Sequence, residues 1–190
     1  MYSLGRAQYA VTGFEHKVPF FKELLGSLQG KTGLRFLEVG SFAGISAKWF
    51  LENILTDEES TLVCVDIWND KPDSRKSELV VPGSRKAFQE ITAPFGSRVI
   101  PLEGRSQELL RGLGLQEFDF IFIDGSHEFS DVLTDAVLAF PLLKIGAVMV
   151  FDDCEPKTEV FLAVNFFLEA FKKKLEILHK ENLVAIRRMS

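Results

Sequence analysis

Residues 34–46 read LRFLEVGSFAGIS. Leu34 to Val39 is an apolar run of strand length, and Gly40 and Gly44 punctuate a turn after it. Ala43, Ala47, Phe50, Leu51, Ile54 and Leu55 then recur at helical spacing. The stretch reads as a buried strand, a glycine loop and a helix. Glycine lets the backbone turn sharply and lets a ligand approach it closely. The first turn of the helix presents free N–H groups. The spacing is ExGxxxG; Phe42 and Ile45 stand where GxGxxG would need glycine, which counts against NAD or FAD.

The alternation continues downstream. Thr61 to Asp66, Arg98 to Leu102, Phe118 to Asp124 and Ala147 to Phe151 read as further strands. Ser84 to Phe95 and Ser106 to Leu113 read as helices, as do the stripes around Leu133 to Phe140 and Val160 to Phe171. Strands alternating with helices predict an α/β fold with a doubly wound, mostly parallel sheet. Strands apolar throughout predict that helices cover both faces. Leu175 to His179 and Leu183 to Arg188 close the chain on a short link, which predicts an antiparallel hairpin and brings the strands to seven.

Upstream, Phe14, Val18, Phe21, Leu25 and Leu28 are helically spaced. Pro19 suits a first turn and Gly30 a stop, so a helix over about 19–29 is expected within an N-terminal helical extension of about residues 1–30. No repeat or linker divides residues 1–190, which read as a single domain. The polar stretch from Trp68 to Gly83 is a candidate lid.

Composition narrows the function classes. Lysine plus arginine number 22 against 27 aspartates and glutamates, a net charge of −5, which argues against nucleic acid as a partner. Lys172, Lys173 and Lys174 close a helix, where cations offset its dipole. The 18 phenylalanines fall mostly in strands and helical stripes and are read as core. Cys64 and Cys154 make no CxxC pair, which fits a reduced, cytoplasmic setting. The stretch MYSLGRAQYAVTG lacks a hydrophobic signal core, and no apolar run is long enough to span a membrane. A homo-oligomer is left open: the phenylalanine-rich helix from Thr158 to Lys174 suits an interface and sheet packing equally.

Two groups of carboxylates fall at strand ends. The second strand ends in Asp66, 22 residues after Gly44, where a carboxylate accepts hydrogen bonds from a ribose diol or caps a turn. The fourth strand runs FIFIDGSH to Asp124 and His127, and the fifth runs VFDD to Asp152 and Asp153. Neighbouring strand ends lie roughly 5 Å apart. Three carboxylates so close raise a pKa or recruit a hard divalent ion such as magnesium. The bland readings are a helix cap near Pro156 for one of the pair and a cofactor contact for Asp124. His127, on a loop at the same edge, titrates near neutrality and suits a general base. Cys154 beside the pair is read as packing.

ExGxxxG followed by an acidic end to the second strand resembles the class I S-adenosylmethionine-dependent methyltransferases, whose Rossmann-like sheet ends in such a hairpin. The fuller pattern Glu38, Gly40, Phe42, Gly44 and Ser46 is similar to the catechol O-methyltransferase branch. The segments FEHKVPFFKELL and LRFLEVGSFAGISAKWFLENIL are similar to small bacterial methyltransferases of the macrocin O-methyltransferase type. The resemblance covers about Phe14 to the C-terminus.

It implies S-adenosyl-L-methionine as cofactor. Gly40, Ser41 and Phe42 would line its methionine half, Ser46 would bond its carboxylate and Asp66 its ribose. Ser106 and Gln107, in GRSQ, match the adenine-contact loop, although Ser106 is also an ordinary helix cap. Trp68 stacks near adenine or anchors a lid. Asp124, Asp152 and Asp153 match the positions that hold Mg2+, and His127 matches the base of some macrocin-type relatives. The expected reaction is metal-assisted O-methylation of a small hydroxylated molecule. The other readings are a metal-independent N- or C-methyltransferase, a hydroxylase relative, and a non-catalytic cofactor-binding protein.

Overall fold

The computed structural model describes residues 14–68 and 83–190. Within them the apolar runs become seven strands: β1 Arg35–Val39, β2 Thr61–Asp66, β3 Val99–Glu103, β4 Phe118–Ile123, β5 Leu143–Phe151, β6 Leu175–Lys180 and β7 Val184–Arg188. They form one sheet in the order β3-β2-β1-β4-β5-β7-β6. The pairings among β1 to β5 are parallel, and β7 runs antiparallel to both β5 and β6. The expected doubly wound sheet and its terminal hairpin are both present.

The helices are α1 Val18–Leu25, α2 Ile45–Asn53, α3 Ser84–Thr92, α4 Ser106–Leu109, α5 Phe129–Ala139 and α6 Glu159–Phe171. Alternate strand residues point to opposite faces. Phe120 and Phe122 therefore meet one core, with Phe21 and Phe50, while Ile121 and Ile123 meet the other, with Val160 and Phe167. Phe21 sits edge-on to both Phe50 and Phe122, each at 5.2 Å between ring centres. That clamp fixes α1 on the sheet and makes Phe14, Phe21 and Leu25 part of the core. Most of the described phenylalanines are buried, as expected; Phe166 on α6 is 63% exposed.

Three boundaries differ from expectation. The opening helix begins earlier, with a 3-10 turn at Phe14–Lys17 leading into α1. β5 begins at Leu143, ahead of the apolar run, because the strand absorbs a register shift about Gly146, which adopts φ +83°. The last long helix begins at Glu159 rather than near Pro156, and its cap is Thr158, whose hydroxyl accepts from the Phe161 N–H at 3.1 Å. Asp152 and Asp153 are thus released from the capping reading.

Candidate active site

The glycine loop lies at the carboxyl edge of β1, held between its neighbours. The Gly40 N–H donates to the Val65 carbonyl at 2.8 Å and the Asp124 N–H to the Val39 carbonyl at 2.8 Å, so the ladder continues past the strand ends. Gly40, Phe42 and Gly44 all take positive φ. A Cβ on Gly40 would stand 1.9 Å from the Asp124 carbonyl oxygen, so close passage of two protein loops is itself a reason for glycine here. At Gly44 the added atom would meet the Phe88 ring of α3 at 2.9 Å. Behind the loop, Glu38 is fully buried and accepts from the Ser46 hydroxyl at 2.5 Å. Burial pushes its carboxyl up to about 7, against the opposing effect of the neighbouring hydroxyls. Ser41 Oγ is buried near that carboxyl without a well-formed hydrogen bond.

Asp66, at the end of β2, accepts from the Phe42 N–H and the Trp68 N–H, each at 2.7 Å. Burial raises its pKa while these amides oppose the rise. Trp68 is buried against Phe88 at 4.6 Å between ring centres, and its indole N–H donates to the Phe42 carbonyl at 2.8 Å. Its ring is held between the glycine loop and α3. The rest of the candidate lid, residues 69–82, lies outside the described residues, as do residues 1–13.

Across the edge, the ends of β4 and β5 bring the acidic group together. Asp124, His127 and Asp153 each offer a ligand atom, all within 4.8 Å of one another. His127 Nε2 lies 3.1 Å from Asp153 Oδ2. That bond and the charge of Lys17 hold the Asp153 carboxyl below the usual range. Burial and the negative charge of Asp152 push Asp124 well above it. Asp152 itself is buried and both its oxygens are engaged: one accepts the Asp153 N–H at 2.8 Å, the other the ammonium of Lys17.

Ser106 opens α4, whose cap residue is Arg105, so the helix-cap reading of Ser106 does not describe it. It lies near Asp135 of α5, a buried carboxyl that burial raises to about 6 and the Ser106 hydroxyl partly offsets.

A family model described as a methyltransferase domain matches residues 37–154, more than half of the chain. The chain belongs to this methyltransferase family. A provisionally assigned O-methyltransferase of Mycolicibacterium vanbaalenii is 32% identical over 110 residues, which are 57% of this chain and 43% of that protein. The chain thus matches less than half the length of that relative. The O-methyltransferase TomG of Streptomyces achromogenes, solved with S-adenosylmethionine and involved in tomaymycin synthesis, superposes with a TM-score of 0.67 at 19% identity, over 90% of this chain and 80% of that one. The mycinamycin-pathway methyltransferase MycE, solved with Mg, S-adenosylhomocysteine and mycinamycin VI, gives 0.60 at 15% identity, over 91% and 49%. At these identities the likeness is one of fold, and the fold is that of the class I methyltransferases.

The methyltransferase domain therefore gathers on one edge what the sequence placed at separate strand ends: the loop Gly40 to Gly44, Asp66, Asp124, His127 and Asp153. The pattern suits S-adenosylmethionine. Ser41 carries a buried hydroxyl with no well-formed hydrogen bond, and Asp66, a carboxylate at the end of β2, is of the type that accepts from a ribose diol. The Ser46 hydroxyl donates its hydrogen to Glu38, which leaves lone pairs able to accept from an ammonium but no hydrogen for the cofactor carboxylate expected of it. For a divalent ion the donors left are Asp124 and Asp153, with His127 in reach, because Asp152 is occupied. Sequence reading missed Lys17 and Asp135. A signal existed for each: Lys17 puts a cation at the start of a helix, where the dipole disfavours it, and Asp135 shares a helical face with Val132, Ala136 and Ala139.

Proposed function

We propose that this methyltransferase domain transfers the methyl group of S-adenosyl-L-methionine to a hydroxyl oxygen of a small molecule. The observation that carries the reading is the meeting, on one sheet edge, of the glycine loop with Asp66 and of a histidine with two carboxylates. Gly40, Ser41 and Phe42 line the methionine half, Asp66 accepts from the ribose diol, and Ser106 and Gln107 face the adenine. Glu38 and Trp68 hold the loop from behind. Asp124 stands between cofactor and acceptor.

The sulfonium methyl is already activated, so the protein's task is to align an acceptor oxygen with it. As the new C–O bond forms and the C–S bond breaks, the hydroxyl proton passes to His127, which Asp153 orients. Asp124 and Asp153 would be the carboxylates to hold a magnesium ion, whose chemistry would be to lower the pKa of the acceptor hydroxyl, but the proton transfer to His127 does not require it. The names of the similar proteins, several of them O-methyltransferases and one of these, TomG, involved in tomaymycin synthesis, support oxygen as the acceptor atom. Calorimetric titration with S-adenosylmethionine, followed by methyl transfer from labelled cofactor to a panel of hydroxylated compounds, tests the reading. Absence of cofactor binding by the folded protein would remove it.

A further inference from the structure

Lys17 reaches the acidic edge from 135 residues away in sequence and pairs with Asp152. It is not a wandering surface lysine. Phe14, three residues before it, stacks on Phe21 at 5.5 Å, and Phe21 is locked against β4, so both ends of the turn that carries Lys17 are embedded. Its side chain is 22% exposed and that of Asp152 only 3%. The ammonium also lies close enough to Asp124 and Asp153 for each carboxylate to favour its charge. A half-buried cation among three carboxylates does two things. It neutralises part of their repulsion, and it repels any divalent ion that approaches them.

We propose that Lys17 is an internal cation of the acceptor side: with Asp152 as its counter-ion, it supplies fixed positive charge where a divalent ion would otherwise sit, and so makes this edge a weak metal site. This rests on the reading of the edge as the acceptor side of a methyltransferase. Asp152, the residue matched to the metal by family resemblance, serves Lys17 instead. The remaining donors, Asp124 and Asp153 with His127 in reach, include only two carboxylates, too few hard oxygen ligands to hold magnesium tightly against the charge beside them.

Mn2+ serves as the probe, its free concentration read by electron paramagnetic resonance, with S-adenosylmethionine affinity measured in parallel on the same samples of the 190-residue chain. Wild type is expected to take up Mn2+ only in the millimolar range. Lys17→Met should bind it roughly 10- to 100-fold more tightly, since a repelling charge is gone and Asp152 is released as a donor. Lys17→Arg should stay weak, and adding Asp152→Asn to Lys17→Met should abolish the gain. Unchanged Mn2+ affinity in Lys17→Met would overturn the proposal, as would tight binding by wild type, which is decisive even if the variant does not fold. Cofactor binding that persists in either case leaves the methyltransferase reading standing; its loss in wild type strikes that reading instead.

Discussion

Gly40 passes so close to Asp124 that a single added carbon would stand 1.9 Å from the Asp124 carbonyl oxygen. The loop after β1 and the loop after β4 therefore share one tight backbone crossing, and the cofactor side and acceptor side of the site are set by the same contact. Gly40→Ala must push Asp124 away, and at φ +91° it also carries backbone strain. A stability loss of about 1–3 kcal/mol is expected, with weakened S-adenosylmethionine binding. Urea denaturation and calorimetry check both; a variant with native stability and affinity would show that the crossing is slack.

Asp66 is expected to act twice, as a staple for Phe42 and Trp68 and as a ligand acceptor. Asp66→Ala frees both amides and should cost about 1.5–3 kcal/mol of cofactor affinity. Asp66→Asn keeps one acceptor oxygen and should recover part of the loss. Calorimetric titration distinguishes them, and equal affinities for wild type and Asp66→Ala would withdraw Asp66 from the site.

How much of this was legible follows sequence distance. The strand, glycine loop and helix of residues 34–55 are local, and the spacing of Glu38, Gly40 and Gly44 carries them. Asp66, Asp124 and Asp153 were legible because a parallel sheet puts strand ends on one edge whatever the intervening chain. The ion pair between Lys17 and Asp152 was not: it joins the start of α1 to the end of β5, and no local periodicity relates them. The contact of Trp68 with Phe88 was not legible for a similar reason, since the two lie in separate segments with no shared periodicity.

Glu38 should make stability depend on pH. Its folded carboxyl ionises at about 7, above the ordinary 4.5, so the folded state holds the proton more tightly. That contribution is full below 4.5, declines as pH rises, and is exhausted above about 7. Between pH 5 and pH 8 the decline should be on the order of 2–3 kcal/mol. Thermal melts at pH 5 and pH 8 should show wild type losing more than Glu38→Gln, which cannot ionise. Parallel losses would mean that Glu38 titrates normally.

His127 and Asp153 supply the last expectation, because their 3.1 Å contact links a proton acceptor to a carboxylate. Asp153 is held below the usual carboxylate range chiefly by its bond from His127. The stability this lends is present above the unfolded carboxylate pKa and lost as pH falls through the folded value. Both side chains are well exposed, so it amounts to about 1 kcal/mol at most. The larger effect should fall on the reaction. His127→Gln should slow methyl transfer by about 100-fold or more while leaving cofactor affinity near wild type, since a base acts on the acceptor and not on the sulfonium. Asp153→Asn removes the anion that favours a protonated ring, so the rising limb of the pH–rate profile should move to lower pH. Single-turnover rates across pH, beside cofactor titrations of each variant, read both effects. A His127→Gln enzyme of normal rate, or an Asp153→Asn profile that does not move, would shift the proton-accepting role to another group on the edge.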